Sequence, residues 1–171
     1  DWHLEDFCLL EQELKEVGLI YAGSADIINT FDSVNYTEDQ LAKLKSIKSL
    51  GQSESIKDLW AAQTFRKDYW IKGGVPLTLN EIYNHLKDFE FHLCTISDIK
   101  SIELKGRLIK ASLSEDIYTD VLLELQNNYV IDVDKLILGL GHDISVAFEI
   151  LKVLLTTKIV LGCRKGDIPS Q

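Results

Sequence analysis

A mainly helical fold with one small β-hairpin is what this sequence predicts, an N-terminal helical part packed on a winged-helix-like C-terminal part. Three observations carry that expectation. Apolar residues recur at helical spacing near both ends of the chain. Thr-x-x-Gln and Thr-x-x-Glu signatures mark helix starts at Thr37 and Thr78. Apolar and polar residues alternate on either side of Gly106, the pattern of two short strands around a reversal.

The elements follow in order. Phe7, Leu10, Leu14 and Val17 fall on one stripe of a helix over Asp6–Gly18, which Gly18 closes in a left-handed cap. Ile20–Asn35 carries Gly23, Ser24, Asn29, Asp32 and Ser33 and reads as a loop or turn-rich piece. A helix from Thr37 buries Leu41, Leu44 and Ile47 and stops at Gly51. The next starts at Ser53, points Ile56, Leu59 and Trp60 inward, and ends near Gly73-Gly74. These elements make a helical subdomain over 1–72, with a winged-helix-like subdomain over 73–171 sharing its core.

In the second part Thr78 and Glu81 form a capping box, and Leu77 and Ile82 a hydrophobic staple, at the start of a helix over Leu79–Leu86. Phe89, Leu93 and Ile96 then suit another short helix, and Ser101–Leu113 a hairpin. Helix, helix, hairpin is the order of a winged helix, in which wing and second helix bury each other's apolar faces. Ser114 caps a further helix with Glu115 and Asp116 in its first turn and Ile117, Val121 and Leu125 facing inward. Val130–Leu138 fits either strand or helix. Asp143 caps a helix through Thr156 with Ile144, Ala147, Phe148, Leu151 and Leu155 inward, and the tail from Gly162 through Arg164-Lys165 and Pro169 reads as frayed.

Composition limits the function classes. The 171 residues are 46% hydrophobic and 26% charged with net charge −9, values of a globular chain rather than a disordered one. Cys8, Cys94 and Cys163 are an odd number at wide spacing, so no disulfide scaffold is expected and an intracellular home, cytoplasmic or nuclear, follows. No uncharged apolar run reaches about 18 residues, so no membrane span is expected. Charge is unevenly spread: 1–41 hold ten acids and one base, 42–110 twelve bases and eight acids, and 111–171 nine acids and five bases.

Five constellations are candidates for chemistry. His85, His92 and Cys94, with Cys163, offer metal-type ligands, but residues 92 and 94 would diverge by about 200° on a helix, so neither a metal nor a Cys/His nucleophile pair is expected. Gly139-Leu140-Gly141 precedes the helix at Asp143 without the Lys or third glycine of a phosphate loop, and no cofactor is expected. The carboxylate pairs Asp116/Asp120 and Asp132/Asp134 lack a calcium loop's glycine and suit solvated faces. Lys100, Lys105, Arg107 and Lys110 crowd the hairpin, and Lys43, Lys45 and Lys48 a helix; together they could meet phosphates. Against that, the candidate recognition helix bears Asp88, Glu90 and Asp98 and no arginine.

Three tryptophans, Trp2, Trp60 and Trp70, join Phe65 and Tyr69 in a chain of this size, and aromatics with arginine dominate binding hot spots. Phe65, Arg66, Tyr69 and Trp70 are therefore the expected partner-binding residues. The function expected is a non-catalytic protein-interaction module, or small subunit of a larger complex, docking through an aromatic and apolar face. An accessory winged-helix nucleic-acid binder acting through hairpin 100–110 is the first alternative. A hydrolase or transferase around His85, His92 and Cys94 is the second.

Overall fold

Helices and three small sheets alternate along a chain that the computed structural model describes over residues 6–94, 102–112 and 115–167. Two units form, one from 1–75 with 105–109 and the other from 76–104 with 110–171. About 53% of the described structure is helical and 19% strand.

The first unit begins with α1 (Phe7–Glu16), where Asp6 accepts a 2.9 Å hydrogen bond from the Cys8 amide as the N-cap. Then follow β1 (Leu19–Ser24), a 3-10 turn at Ile27–Thr30, α2 (Asp32–Asn35), α3 (Glu38–Ser46), α4 (Leu50–Ala61) and β2 (Asp68–Lys72). Antiparallel β1 and β2 pair Tyr21 with Trp70, and a bulge between Tyr21 and Gly23 re-aims the strand. The capping box expected at Thr37 and Gln40 is formed. Phe7, Val34, Tyr36 and Leu44 are buried together with the polar Glu11 and Asn35.

Three expectations fail here for tertiary reasons. Gly51 does not stop a helix; it lies in α4, where a Cβ would run into the Glu11 carboxylate and press on the Cys8 backbone of α1. That helix starts earlier, at a Ser49 cap, and ends at Ala62 in the left-handed region (φ 46°) rather than near Gly73. The segment expected as loop supplies β1, because β2 pairs with it from some fifty residues later in the chain.

Residues 105–109 complete this unit. The Leu108 and Ile109 amides point at the Val34 carbonyl, at 3.2 and 3.4 Å. The Arg107 amide donates to Asn35 Oδ1 at 3.0 Å, while Asn35 Nδ2 donates to the Ile28 and Phe31 carbonyls. Gly106 sits so close that a Cβ would strike the Val34 carbonyl.

The second unit contains α5 (Leu79–Leu86), β3 (Phe89–Leu93), α6 (Glu115–Asn128), β6 (Val130–Ile131), a π-helix at Lys135–Gly139, α7 (Ile144–Thr156) and β7 (Val160–Arg164). The short strands β4 (Glu103–Lys105) and β5 (Lys110–Ser112) pair around the reversal at Gly106. The box at Thr78 and Glu81 is formed, with the Thr78 amide donating to Glu81 Oε2 at 2.7 Å. Helices α6 and α7 each turn through a left-handed residue, Tyr129 (φ 60°) and Lys158 (φ 57°), into strands that flank β3 in the order β6-β3-β7, antiparallel throughout. Val121, Leu125, Ile131, Val133, Leu136, Ile150, Leu154 and Val160 are the large side chains fully buried in this core.

The winged-helix, mainly α expectation is overturned. Phe89–Leu93 is a strand, not a helix, and Phe91 of it is buried opposite Ile131 and Gly162. The tail expected to fray is β7, paired with that strand. Trp2, Ile96, Asp98, Lys100, Ser101, Leu113, Ser114 and Pro169, and the side chain of Asp116, lie outside the described residues. No described helix is long and apolar enough to cross a membrane.

Candidate functional site

In the first unit α1, α4 and β2 border a cleft of about 950 Å³ whose wall is organised by Arg66. Each nitrogen of its guanidinium is used. Nε donates to Asp68 Oδ2 at 2.8 Å, Nη1 to both oxygens of Asp58 at 2.9 and 3.0 Å, and Nη2 to Glu54 at 2.8 Å and the Tyr21 hydroxyl at 3.1 Å. Its Cζ lies 4.3 Å from the Phe7 ring centroid, and Phe7 stacks on Trp70 at 5.6 Å and meets Tyr21 edge-on at 5.0 Å.

Local sequence explains the assembly. Glu54 and Asp58 are one helical turn apart on α4 and so share a face. Asp68 and Trp70 are two apart on β2 and so share a strand face, whereas Tyr69 points the other way and is 64% exposed. Lys57 joins from α4, 3.0 Å from Asp32 and 3.2 Å from Glu54.

Burial would favour loss of the Arg66 proton, yet its hydrogen bonds to Asp68, Glu54 and Asp58 hold it more firmly than usual. The pairing is unequal. Asp58 shares that cation with two other carboxylates, and its own burial prevails, raising its pKa. Burial, then the Glu54 charge, also pushes the Tyr21 hydroxyl upward. Arg66 and Lys57 pair with four carboxylates, those of Asp32, Glu54, Asp58 and Asp68, and Asp6 in the cleft lining adds a fifth, so negative charge is in surplus.

The expected partner residues are thus separated by role. Arg66 is the hub, Trp70 part of the wall, Phe65 a rim residue 69% exposed, and Tyr69 lies outside the lining. Sequence reasoning missed Tyr21, Glu54, Asp58 and Asp68; the one signal available was the acid pair at turn spacing on α4. Trp60 meets the Tyr36 ring at 6.0 Å instead.

The other candidates disperse. Arg107 is engaged with Asn29 and Gln63, Lys105 and Lys110 are exposed, and Lys100 is outside the described residues. His92 Nε2 lies 3.4 Å from Glu90 without hydrogen-bond geometry, His85 is exposed on α5, and Cys94 follows β3 with Sγ on the His92 carbonyl. Among the described residues no group of three His, Cys, Asp or Glu side chains could hold a metal. Asp132 and Asp134 are structural links: Asp132 binds Lys165 at 2.9 Å and the Lys135 amide at 2.8 Å, and Asp134 accepts from the Tyr83 hydroxyl at 2.6 Å.

Residues 1–72 match the family described as "Predicted methyltransferase regulatory domain". An uncharacterized protein of Synechocystis sp. is 29% identical over 129 residues, 74% of this chain and 25% of that protein, so the chain spans about a quarter of this relative's length. PKMT2 from Rickettsia typhi is similar in structure with TM-score 0.53 and 17% identity, over 94% of this chain and 36% of that one. A structure of PKMT2 in complex with AdoHcy gives TM-score 0.54 and 16% identity, over 94% and 35%. The fold is therefore that of a portion of PKMT2. These findings overturn the expected small complex subunit, the winged-helix nucleic-acid binder, and the hydrolase or transferase around His85, His92 and Cys94, while the expected protein-interaction role fits a regulatory domain.

Proposed function

We propose that this chain serves as a regulatory segment associated with a methyltransferase, acting on the catalytic region through protein–protein contact. The single observation carrying this reading is the match of residues 1–72 to a methyltransferase regulatory family, over the stretch that forms most of the cleft-bearing unit. Coverage agrees with it, since the chain spans only 36% of the PKMT2 structure it resembles. So does topology: open α/β sheets bind nucleotides at the carboxyl ends of parallel strands, and the pairings of β1 with β2 and of β3 with β6 and β7 are antiparallel. Free Cys8, Cys94 and Cys163 favour a reducing, intracellular setting for it.

Calorimetry and a methyl-transfer assay test the proposal. The isolated chain titrated with AdoHcy gives no binding heat. The complete reading frame carrying this segment binds AdoHcy, and removing all 171 residues leaves that binding intact while changing the rate or KM of methyl transfer at least about fivefold. Binding of AdoHcy by the isolated chain, or unchanged kinetics after removal, overturns the proposal.

A further inference from the structure

The cleft carries more information than a regulatory role requires, because its two halves differ in chemistry. One half is apolar: Leu10, Leu59, Phe65 and Trp70, with Leu59 78% and Phe65 69% exposed. The other presents Asp6 and Asp58 beside an arginine whose charge three carboxylates already claim. Asp58 uses its two oxygens on one guanidinium nitrogen and, being 20% exposed, keeps acceptor capacity toward the opening.

An anion entering here would meet surplus negative charge, and a neutral apolar group would leave that surplus unbalanced. A cation on an apolar stem satisfies both halves. Lysine and arginine side chains have that form, burying their methylenes while the charged head stays among polar groups. Aromatic walls add attraction for a cation. A volume of about 950 Å³ exceeds one side chain and accommodates flanking residues as well.

We propose that this cleft takes a basic segment of a protein partner, a lysine or arginine side chain flanked by apolar residues, with its stem on Trp70, Phe65 and Leu59 and its charge at Asp6 and Asp58. The assignment names the partner chemistry of the regulatory unit and rests on that reading only for which protein supplies the segment.

Calorimetry on the intact 171-residue chain tests it, with a blocked peptide holding two lysines between leucines as the probe. Saturable binding is expected, weakening at least about fivefold between about 50 and 500 mM salt. The same peptide with glutamates in place of lysines does not bind. Leu59 is well exposed at the cleft rim, so its replacement has little effect on folding, and Lys and Glu there lose the same apolar contact and differ in charge: Leu59→Lys weakens binding at least about fivefold more than Leu59→Glu. Asp6→Asn keeps an α1 cap and weakens binding. Absence of lysine-peptide binding, equal weakening by both Leu59 variants, or spermidine binding as tightly as the peptide overturns the proposal. These titrations need no methyltransferase, so their failure is distinct from failure of the AdoHcy and kinetic measurements.

Discussion

In the second unit the large, fully buried side chains are aliphatic, from Val121 and Leu125 on α6 to Ile150 and Leu154 on α7, whereas the first unit gathers its interior around Arg66, Glu54, Asp58, Asp68 and a triad of Phe7, Tyr21 and Trp70. The two interiors differ in what a substitution in each would disturb. Aliphatic packing is non-directional and tolerates shape-conserving change. A guanidinium shared by three carboxylates is directional, and removing the cation leaves uncompensated charge. The first unit therefore concentrates its chemistry and its fragility in one place.

Four measurements sharpen or break that contrast. Leu154→Ala in the aliphatic core costs about 3–4 kcal/mol by urea denaturation, because Leu154 is fully buried and its neighbours close only part of the gap. Arg66→Ala costs about 2–3 kcal/mol and distorts the near-ultraviolet signal of the Phe7, Tyr21 and Trp70 cluster; an unchanged signal and stability would show that the first unit does not depend on its charged hub. Thr78→Ala removes one capping interaction in the second unit and costs about 1 kcal/mol, read from the same denaturation curve.

The smallest effect is in pH dependence, where one aspartate of each unit is shifted in the opposite direction. Asp58 has its folded pKa raised, by burial first, so its contribution is favourable below 3.8 and is lost as pH rises through the raised value. Burial opposes ionisation of Asp132 too, but the Lys135 amide and Lys165 prevail and lower its pKa, so its contribution is present above 3.8 and is lost as pH falls through the lowered value. Carbon-detected NMR titration of the aspartates is expected to place the Asp58 midpoint above 3.8 and that of Asp132 below it. Midpoints in the reverse order would remove this difference between the units.

Legibility in the sequence followed the range of the interactions. The boxes at Thr37 and Thr78 and the helix after Asp143 are set by residues within one or two turns, and all were read from the chain. β3 was not, because Phe89, Leu93 and Ile96 have helical spacing, and only pairing with Val160–Arg164, some seventy residues later, makes Phe91 an interior residue. The site was legible in part for the same reason. Arg66 and Trp70 stand in a conspicuous aromatic stretch, while Tyr21 comes from a segment with turn composition and Asp68 gains meaning only beside α4. Gly51 misled because a glycine that admits a neighbouring helix has the same letter as one that ends a helix.

The return of residues 105–109 to Val34 and Asn35 sets the smallest portable piece of the cleft-bearing unit. A segment severed after Val75 keeps every residue of the cleft but forfeits the amides of Arg107, Leu108 and Ile109, leaving a main-chain carbonyl and a buried amide oxygen without those donors. The family-matched stretch is thus an unfinished block on its own. Transplanted into another polypeptide, the segment would need a host loop to supply equivalent donors to Val34 and Asn35.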